Sequence, residues 1–237
     1  MNYVILSVVL LFSSLSLAYD FKLTSGEYQT QIIELYTSEG CSSCPPADRW
    51  LSSLKTSAGL FKDYIPLAFH VGYWDYIGWK DELASPTNAS RQKRHKQAKN
   101  LSSVYTPGVL KSGKEWRRWR GTNIDVTNLK VGLLQVSLKS NHLKASFNPA
   151  IQNDFKLNIA LVGMNIESRV LAGENSGKTL KHDFVVLKHQ SFSSSNNDWS
   201  IELSPSFFHS KYKTTAFVAW VESTLNPSPI QAVGQIL

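Results

Sequence analysis

The chain has 237 residues, 42% of them hydrophobic and 18% charged, and carries a formal net charge of +7. That balance belongs to a folded globular protein and excludes a disordered chain, while a total of 2 cysteines excludes a disulfide scaffold. The positive charge is local: from Ser85 to Arg120 ten Lys or Arg stand against the single acid Glu115, and the rest of the chain is slightly acidic. Residues 85–120 are thus a segment to which an anionic partner would be drawn; no nucleic acid is expected.

Tyr3 to Leu17 is an uncharged run rich in Leu, Val and Ser that closes on Ser16-Leu17-Ala18, with small residues where a signal peptidase requires them. Residues 1–18 are therefore expected to be a cleaved signal peptide, leaving a secreted or periplasmic chain from Tyr19. No later stretch reads as a membrane span, so stable membrane insertion after cleavage is not expected.

Gln31 to Tyr36 (QIIELY) reads as a short buried strand, apolar and β-branched with one acid inside it. Pro45-Pro46 then opens a helix, because Pro is tolerated in the first turn, and Ala47, Trp50, Leu51 and Leu54 supply its apolar face. Tyr64 to Tyr73 is a second strand. Ser85-Pro86 is an N-cap with Pro behind it and starts a polar, basic helix to about Leu101. Val104 to Leu110 is a third strand, broken at its start by Pro107, and Glu115 to Trp119 pairs back after the turn at Lys111 to Lys114. Beyond Gly121 apolar and polar residues alternate through Leu134–Leu138 and Leu143–Phe147. Further strands are expected at Lys156–Asn165, His182–Lys188, Trp199–Leu203, Thr214–Val221 and Ile230–Leu237. The element order predicts an α/β fold: a thioredoxin-like domain over residues 19–124, then a β-rich, sandwich-like domain over residues 125–237.

Cys41 and Cys44, the whole cysteine complement, lie in a CxxC motif between the first strand and the first helix. Three readings are open: a redox-active disulfide, a copper site with His70 as third ligand, and an inert clip in a non-catalytic interaction protein. A clip closing so small a loop gains little chain entropy. In the redox reading, helix N-terminal amides favour the thiolate, Cys41 attacks and Cys44 resolves the mixed disulfide. Pro45, however, disfavours the helical region for Cys44, and a helix beginning at Pro45 would turn its dipole towards Cys44 and exchange these roles. Glu34, an acid in an apolar strand, is the candidate proton shuttle, with an outward position or an ion pair to Arg49 as the alternative. Thr106-Pro107 falls where the thioredoxin fold has its cis-proline, and that loop would shape a groove for a substrate peptide. Tyr73 and Trp74 are candidates for the wall of the cleft. Gly173 to Thr179 (GENSGKT) imitates a P-loop, but only three residues separate its glycines instead of four, and a strand follows it. It reads as a hairpin loop.

ELYTSEGCSSCPPAD, HVGYWDYIGWKDELASP, VYTPGVLKSG and GENSGKTLKH together resemble a family of secreted bacterial proteins of unknown function with a thioredoxin-like domain, from about Gln31 to the C-terminus. The chain departs from that pattern at Gly72, where an acid is expected, and at Lys111-Ser112. The resemblance implies an exported protein with a thioredoxin-like domain and a β-rich extension, and no settled substrate. Joined to the motif, it leads to an exported thiol–disulfide oxidoreductase-like protein that needs no cofactor and acts on protein thiols or disulfides. The alternatives are a copper-binding or metallochaperone module using Cys41, Cys44 and His70, and a non-catalytic interaction protein.

Overall fold

The computed structural model describes residues 19–121 and 123–237; the expected signal peptide lies outside the described residues. In chain order the elements are β1 (Phe21–Thr24), β2 (Gln31–Thr37), α1 (Pro45–Ser53), β3 (Tyr64–His70), α2 (Pro86–Gln97), β4 (Gly108–Lys111) and β5 (Lys114–Glu115). There follow β6 (Gly132–Lys139), β7 (His142–Pro149), β8 (Phe155–Met164), β9 (Ile166–Arg169), β10 (Thr179–His182), β11 (Val185–Ser193), β12 (Asp198–Glu202), β13 (Thr214–Ser223) and β14 (Pro229–Ile236).

The expected α/β class is not what these elements build. The fold is mostly β, with 43% strand against 14% helix. An eight-stranded sheet in the order β14-β13-β8-β11-β3-β2-β4-β5 draws strands from both halves of the chain. The join is made where β11 runs parallel to β3, with Val185 beside Ala68 and the Ala68 N–H donating to Phe184 O at 2.7 Å. β2 and β3 are parallel, and β4 is antiparallel to β2. A four-stranded sheet, β1-β6-β7-β12, and the β9–β10 hairpin complete the set.

Two apolar cores share the central strands. In β8, Ala160, Val162 and Met164 enter one core while Leu157, Ile159 and Leu161 enter the other. In β13, Ala216, Val218 and Trp220 face the first core, and Phe217, Ala219 and Val221 face the second. Because successive side chains of a strand point to opposite faces, a strand covered on both sides must be apolar throughout. That is why Ile159–Val162 in β8 and Ala216–Val221 in β13 read as unbroken hydrophobic runs. The second core lies between these strands and the four-stranded sheet, through Leu134, Val136, Leu143 and Phe147.

Helix α2 buries a polar face, Asn88, Arg91, Gln92 and His95, at 3-1-3 spacing. Ser85 caps it, accepting from Thr87 N–H. Arg91 is 1% exposed although it belongs to the basic segment. Its Nε and Nη2 bond the two carboxylate oxygens of Glu34 at 2.9 and 3.0 Å, and Nη1 bonds Glu222 at 2.8 Å. The guanidinium lies 5.6 Å from the Phe69 ring centre and 5.4 Å from that of Trp220. One cation thus ties α2 to β2 and β13, strands from opposite halves of the chain. Among the described residues no helix is long and apolar enough to cross a membrane.

Candidate functional site

Cys41 and Cys44 form a disulfide in the turn between β2 and α1. Both residues are buried, at 1% and 0% exposure, while Ser42 and Ser43 between them face solvent. The turn is held by backbone bonds from Cys41 N–H to Ser38 O at 3.1 Å and from Cys44 N–H to Cys41 O at 3.2 Å. Ser43 Oγ lies 3.4 Å from Cys41 Sγ. α1 begins at Pro45, with Cys44 as its N-cap. The helix therefore does not start at Cys41. Pro45 and Pro46 have no N–H, and the next two amides, Ala47 and Asp48, already bond Cys44 O at 2.8 and 3.1 Å. The positive end of the helix is directed at Cys44 rather than Cys41.

The turn is clamped from a distant part of the chain. Asn175, in the β9–β10 loop, donates through Nδ2 to the carbonyls of Glu39 at 2.8 Å and Cys41 at 2.9 Å. Its neighbour Glu174 accepts from Ser42 N–H at 3.0 Å. The GENSGKT stretch is a hairpin connection, and its side chains hold the backbone of the cysteine loop. On the other side stands Trp74. A β-carbon added to Gly40 would meet the Trp74 Cβ at 2.9 Å, so only glycine lets that ring approach. The Trp74 indole N–H donates to Thr106 Oγ1 at 2.7 Å, and the Thr106-Pro107 peptide is cis. Trp74 thereby bridges the cysteine turn and the proline loop. Tyr76 stacks on it at 6.4 Å and is 81% exposed. Tyr73 donates its hydroxyl to Gln92 Oε1 at 3.2 Å and also stands beside the Thr106 side chain.

A buried cluster of titratable groups adjoins the turn. His70 Nδ1 and Asp81 Oδ2 are 2.7 Å apart, and Asp81 also accepts from the N–H groups of Glu39 and Leu83 at 3.0 and 2.9 Å. The His70 ring meets His182 edge-on at 4.8 Å. His182 Nε2 stands 3.4 Å from Glu39 Oε1, close enough for an ion pair but out of line for a hydrogen bond, and Trp79 N–H donates to Glu39 Oε2 at 2.7 Å. Asp48 joins from α1, one turn beyond Cys44, with Thr37 beside it.

These groups are pushed in different directions. Burial works against charge on His70, but the Asp81 carboxylate outweighs it and raises the imidazole pKa. Burial likewise opposes ionisation of Asp81 and Glu39, yet His70 lowers the first, and His182 with the Trp79 N–H lowers the second. At Asp48 burial prevails over the nearby histidines and the carboxyl is raised, so it is the acid of the cluster that most readily keeps its proton. Among the described residues, His70 Nε2, both His182 ring nitrogens and Glu39 Oε1 are buried without hydrogen-bond partners.

Glu34 is not part of this cluster. It shares a strand face with Tyr36, whose hydroxyl donates to it at 2.7 Å, and Arg91 binds it on that face. Thr37, Asp48's neighbour, points to the opposite face by the alternation of the strand. Burial opposes ionisation of Glu34, but the charges of Arg91 and His95 hold its carboxyl far below the usual range. The ion pair it makes is with Arg91, not Arg49. His70, the expected third ligand of a copper site, bonds Asp81 through Nδ1 and leaves Nε2 without a hydrogen-bond partner. Among the described residues no group of three or more His, Cys, Asp or Glu is arranged to hold a metal ion.

Asp48, Glu39, Asp81, His182 and Asn175 escape a reading of the motif alone. A signal existed for Asp48, which falls on the same helical face as Cys44 and Leu51. For the others no signal existed; Glu39, for example, finds its partners Trp79 and Asn175 at 40 and 136 residues along the chain.

This geometry, a clamped CxxC disulfide over a buried acid–histidine cluster, is carried by a chain that belongs to a family described as proteins of unknown function (DUF1223), matched over residues 32–222. None of the curated proteins matches it. Among solved structures, a crystallised protein of Agrobacterium tumefaciens is similar in fold, with a TM-score of 0.64 and 22% identity, covering 90% of this chain and 96% of that one. HBP35 of Porphyromonas gingivalis is similar with a TM-score of 0.56 and 12% identity, covering 89% of this chain and 76% of its own. At these identities the likeness concerns the fold alone.

Proposed function

We propose that the Cys41–Cys44 pair carries out thiol–disulfide exchange with protein substrates in an oxidising compartment outside the cytoplasm. The observation that carries this reading is the position of the disulfide. It closes a small loop, from which chain entropy gains least, yet Asn175 and Glu174 hold that loop from more than 130 residues away. A staple needs no such support; a reactive pair needs its geometry fixed.

In the reducing direction, the Cys41 thiolate attacks one sulfur of a substrate disulfide, forms a mixed disulfide and expels a substrate thiolate. The Cys44 thiolate then attacks Cys41, restores the Cys41–Cys44 bond and releases the second substrate thiolate, so two electrons pass to the substrate. The oxidising direction runs these steps backwards. Cys44 must lose its proton before it attacks and regain it when it leaves. Asp48 stands one turn from Cys44 on the same helix face and is the group suited to hold that proton, in place of Glu34, whose carboxylate is locked to Arg91 on the other face of β2. The helix dipole, directed at Cys44, would by itself exchange the roles of the two cysteines; Cys41 is taken as the attacking sulfur because Ser43 Oγ stands 3.4 Å from its Sγ, on the exposed side of the turn, where it can hydrogen-bond the thiolate.

The reading is tested by trapping. Incubating reduced Cys44→Ser protein with a peptide disulfide should leave a stable mixed disulfide on Cys41, visible as a mass increase of one peptide chain. Should reduced wild-type protein leave the peptide disulfide intact over hours, the exchange reading fails.

A further inference from the structure

The proline loop opens onto a groove of about 420 Å³ lined by Ser103, Tyr105, Pro107, Arg117, Trp119 and Arg120. Its location follows from contacts already described: Trp74 touches the cysteine turn at Gly40 and bonds Thr106, the residue before Pro107. The groove thus adjoins the proline loop, which Trp74 ties to the cysteine turn.

Its charge is one-sided. The single acid of the basic segment, Glu115, is used internally. It accepts from Tyr105 Oη at 2.7 Å, from the N–H and Oγ of Ser102 at 3.1 Å each, and from Arg117 Nε at 3.0 Å. Arg117 nevertheless keeps its side chain 67% exposed. Arg120 forms no ion pair among the described residues and lies 4.9 Å over the Trp119 ring. Trp119 is itself fixed, 5.1 Å from Trp50 of α1. Arg120 over a fixed indole, with the exposed Arg117 beside it held by Glu115 and Ser102, makes a surface for carboxylates, since arginine binds them in a planar fork and sheds water readily.

From this we infer that the groove between Pro107 and Arg120 binds an acidic segment of the protein whose sulfurs exchange with Cys41 and Cys44. The inference rests on the exchange reading and adds the substrate class to it. A groove beside the loop that Trp74 ties to the cysteine turn suits an extended polypeptide whose own cysteine reaches Cys41, whereas a bilayer meets a flat or convex face. Because the charge outside residues 85–120 is slightly acidic, the groove also sets the direction in which such a partner is steered.

The test is single-turnover exchange between the reduced protein and three disulfides: an uncharged small one, bis(2-hydroxyethyl) disulfide, and two peptide disulfides alike except for Glu or Lys residues beside the cystine. The acidic peptide should react at least about tenfold faster than the basic one at low salt, with the ratio shrinking at high salt. The Arg117→Glu/Arg120→Glu double variant should invert the preference. Equal rates for the two peptides in wild type, unaffected by salt, would overturn the inference while leaving exchange intact. Failure to react with the uncharged disulfide as well would remove the exchange reading itself. Preferential binding to anionic lipid vesicles, abolished by the double variant and without any peptide preference, would reassign the surface to membranes and overturn the inference.

Discussion

Asn175 Nδ2 donates to Cys41 O at 2.9 Å across 134 residues of sequence. The same amide group serves Glu39 O, and Lys178 Nζ donates back to Asn175 Oδ1 at 2.9 Å, so the side chain is fixed at both ends. Removing it takes the side-chain donor from the Glu39 carbonyl and leaves Cys41 O with the Cys44 N–H alone. Asn175→Ala should cost about 1–3 kcal/mol of stability and make the disulfide easier to reduce, measured as a lower urea midpoint and a faster reaction with dithiothreitol. Unchanged reduction kinetics would show that the clamp has no bearing on the pair.

Arg91 carries a different load. It is surrounded by Glu34, Glu222, Phe69 and Trp220, all buried. Arg91→Met keeps volume but removes the cation that both carboxylates share, leaving Lys156 at 3.5 Å from Glu222 and His95 at 3.3 Å from Glu34, and a broken buried pair costs about 3–5 kcal/mol. Chemical denaturation should show a loss of that size, or no folded protein. A loss below about 1 kcal/mol would mean that water reaches the network.

The dependence of stability on pH follows from the same residues. Glu34 titrates well below its ordinary 4.5, so its contribution is complete above that pH and is lost as acid is added below it. His189, half-buried against Trp220 and near Arg91, is pushed from 6.5 down to about 3. Between those values the unfolded chain binds a proton that the folded chain refuses, so stability falls as pH falls, by at most about 1.4 kcal/mol per unit for this one group. The partial exposure of its ring reduces that slope. His70 acts on the alkaline side: raised by Asp81, its contribution is complete below 6.5 and is lost as pH climbs through its folded value. Urea unfolding across pH should therefore give a maximum near neutrality with a steeper acid limb; a flat profile from pH 7 to pH 4 would contradict these assignments.

Much of this architecture is legible from the chain alone. Period-two alternation marks β6 and β7, Pro45-Pro46 marks the start of α1, and the Pro107 loop can be placed next to the cysteines. What alternation cannot show is which strands become neighbours. The parallel contact of Val185 with Ala68 merges the strands after residue 125 with β2 and β3, and turns an expected α/β arrangement into one mostly β fold. β1 escapes because four residues, FKLT, are too few to show a period. Glu34 looks like a proton shuttle because its partner Arg91, 57 residues away, looks like one more surface cation.

Asp48 is the assignment most exposed to a kinetic test. Asp48→Asn keeps shape and removes the ionisable proton. The rate of disulfide reduction, normalised for reductant thiolate, should decline in wild type as pH rises through the Asp48 pKa. In the variant that step should vanish and the rate fall by about 10²-fold or more. Parallel profiles with equal rates would exclude Asp48 as the proton partner.

The central claim, that Cys41–Cys44 is an exchange couple, is most directly tested by its redox equilibrium against glutathione buffers, read by alkylation mass shift on protein lacking residues 1–18. A potential between about −120 and about −270 mV is predicted, the range of exchange catalysts. A value below about −300 mV would mark a structural disulfide that the glutathione pool does not reduce, and would contradict the account.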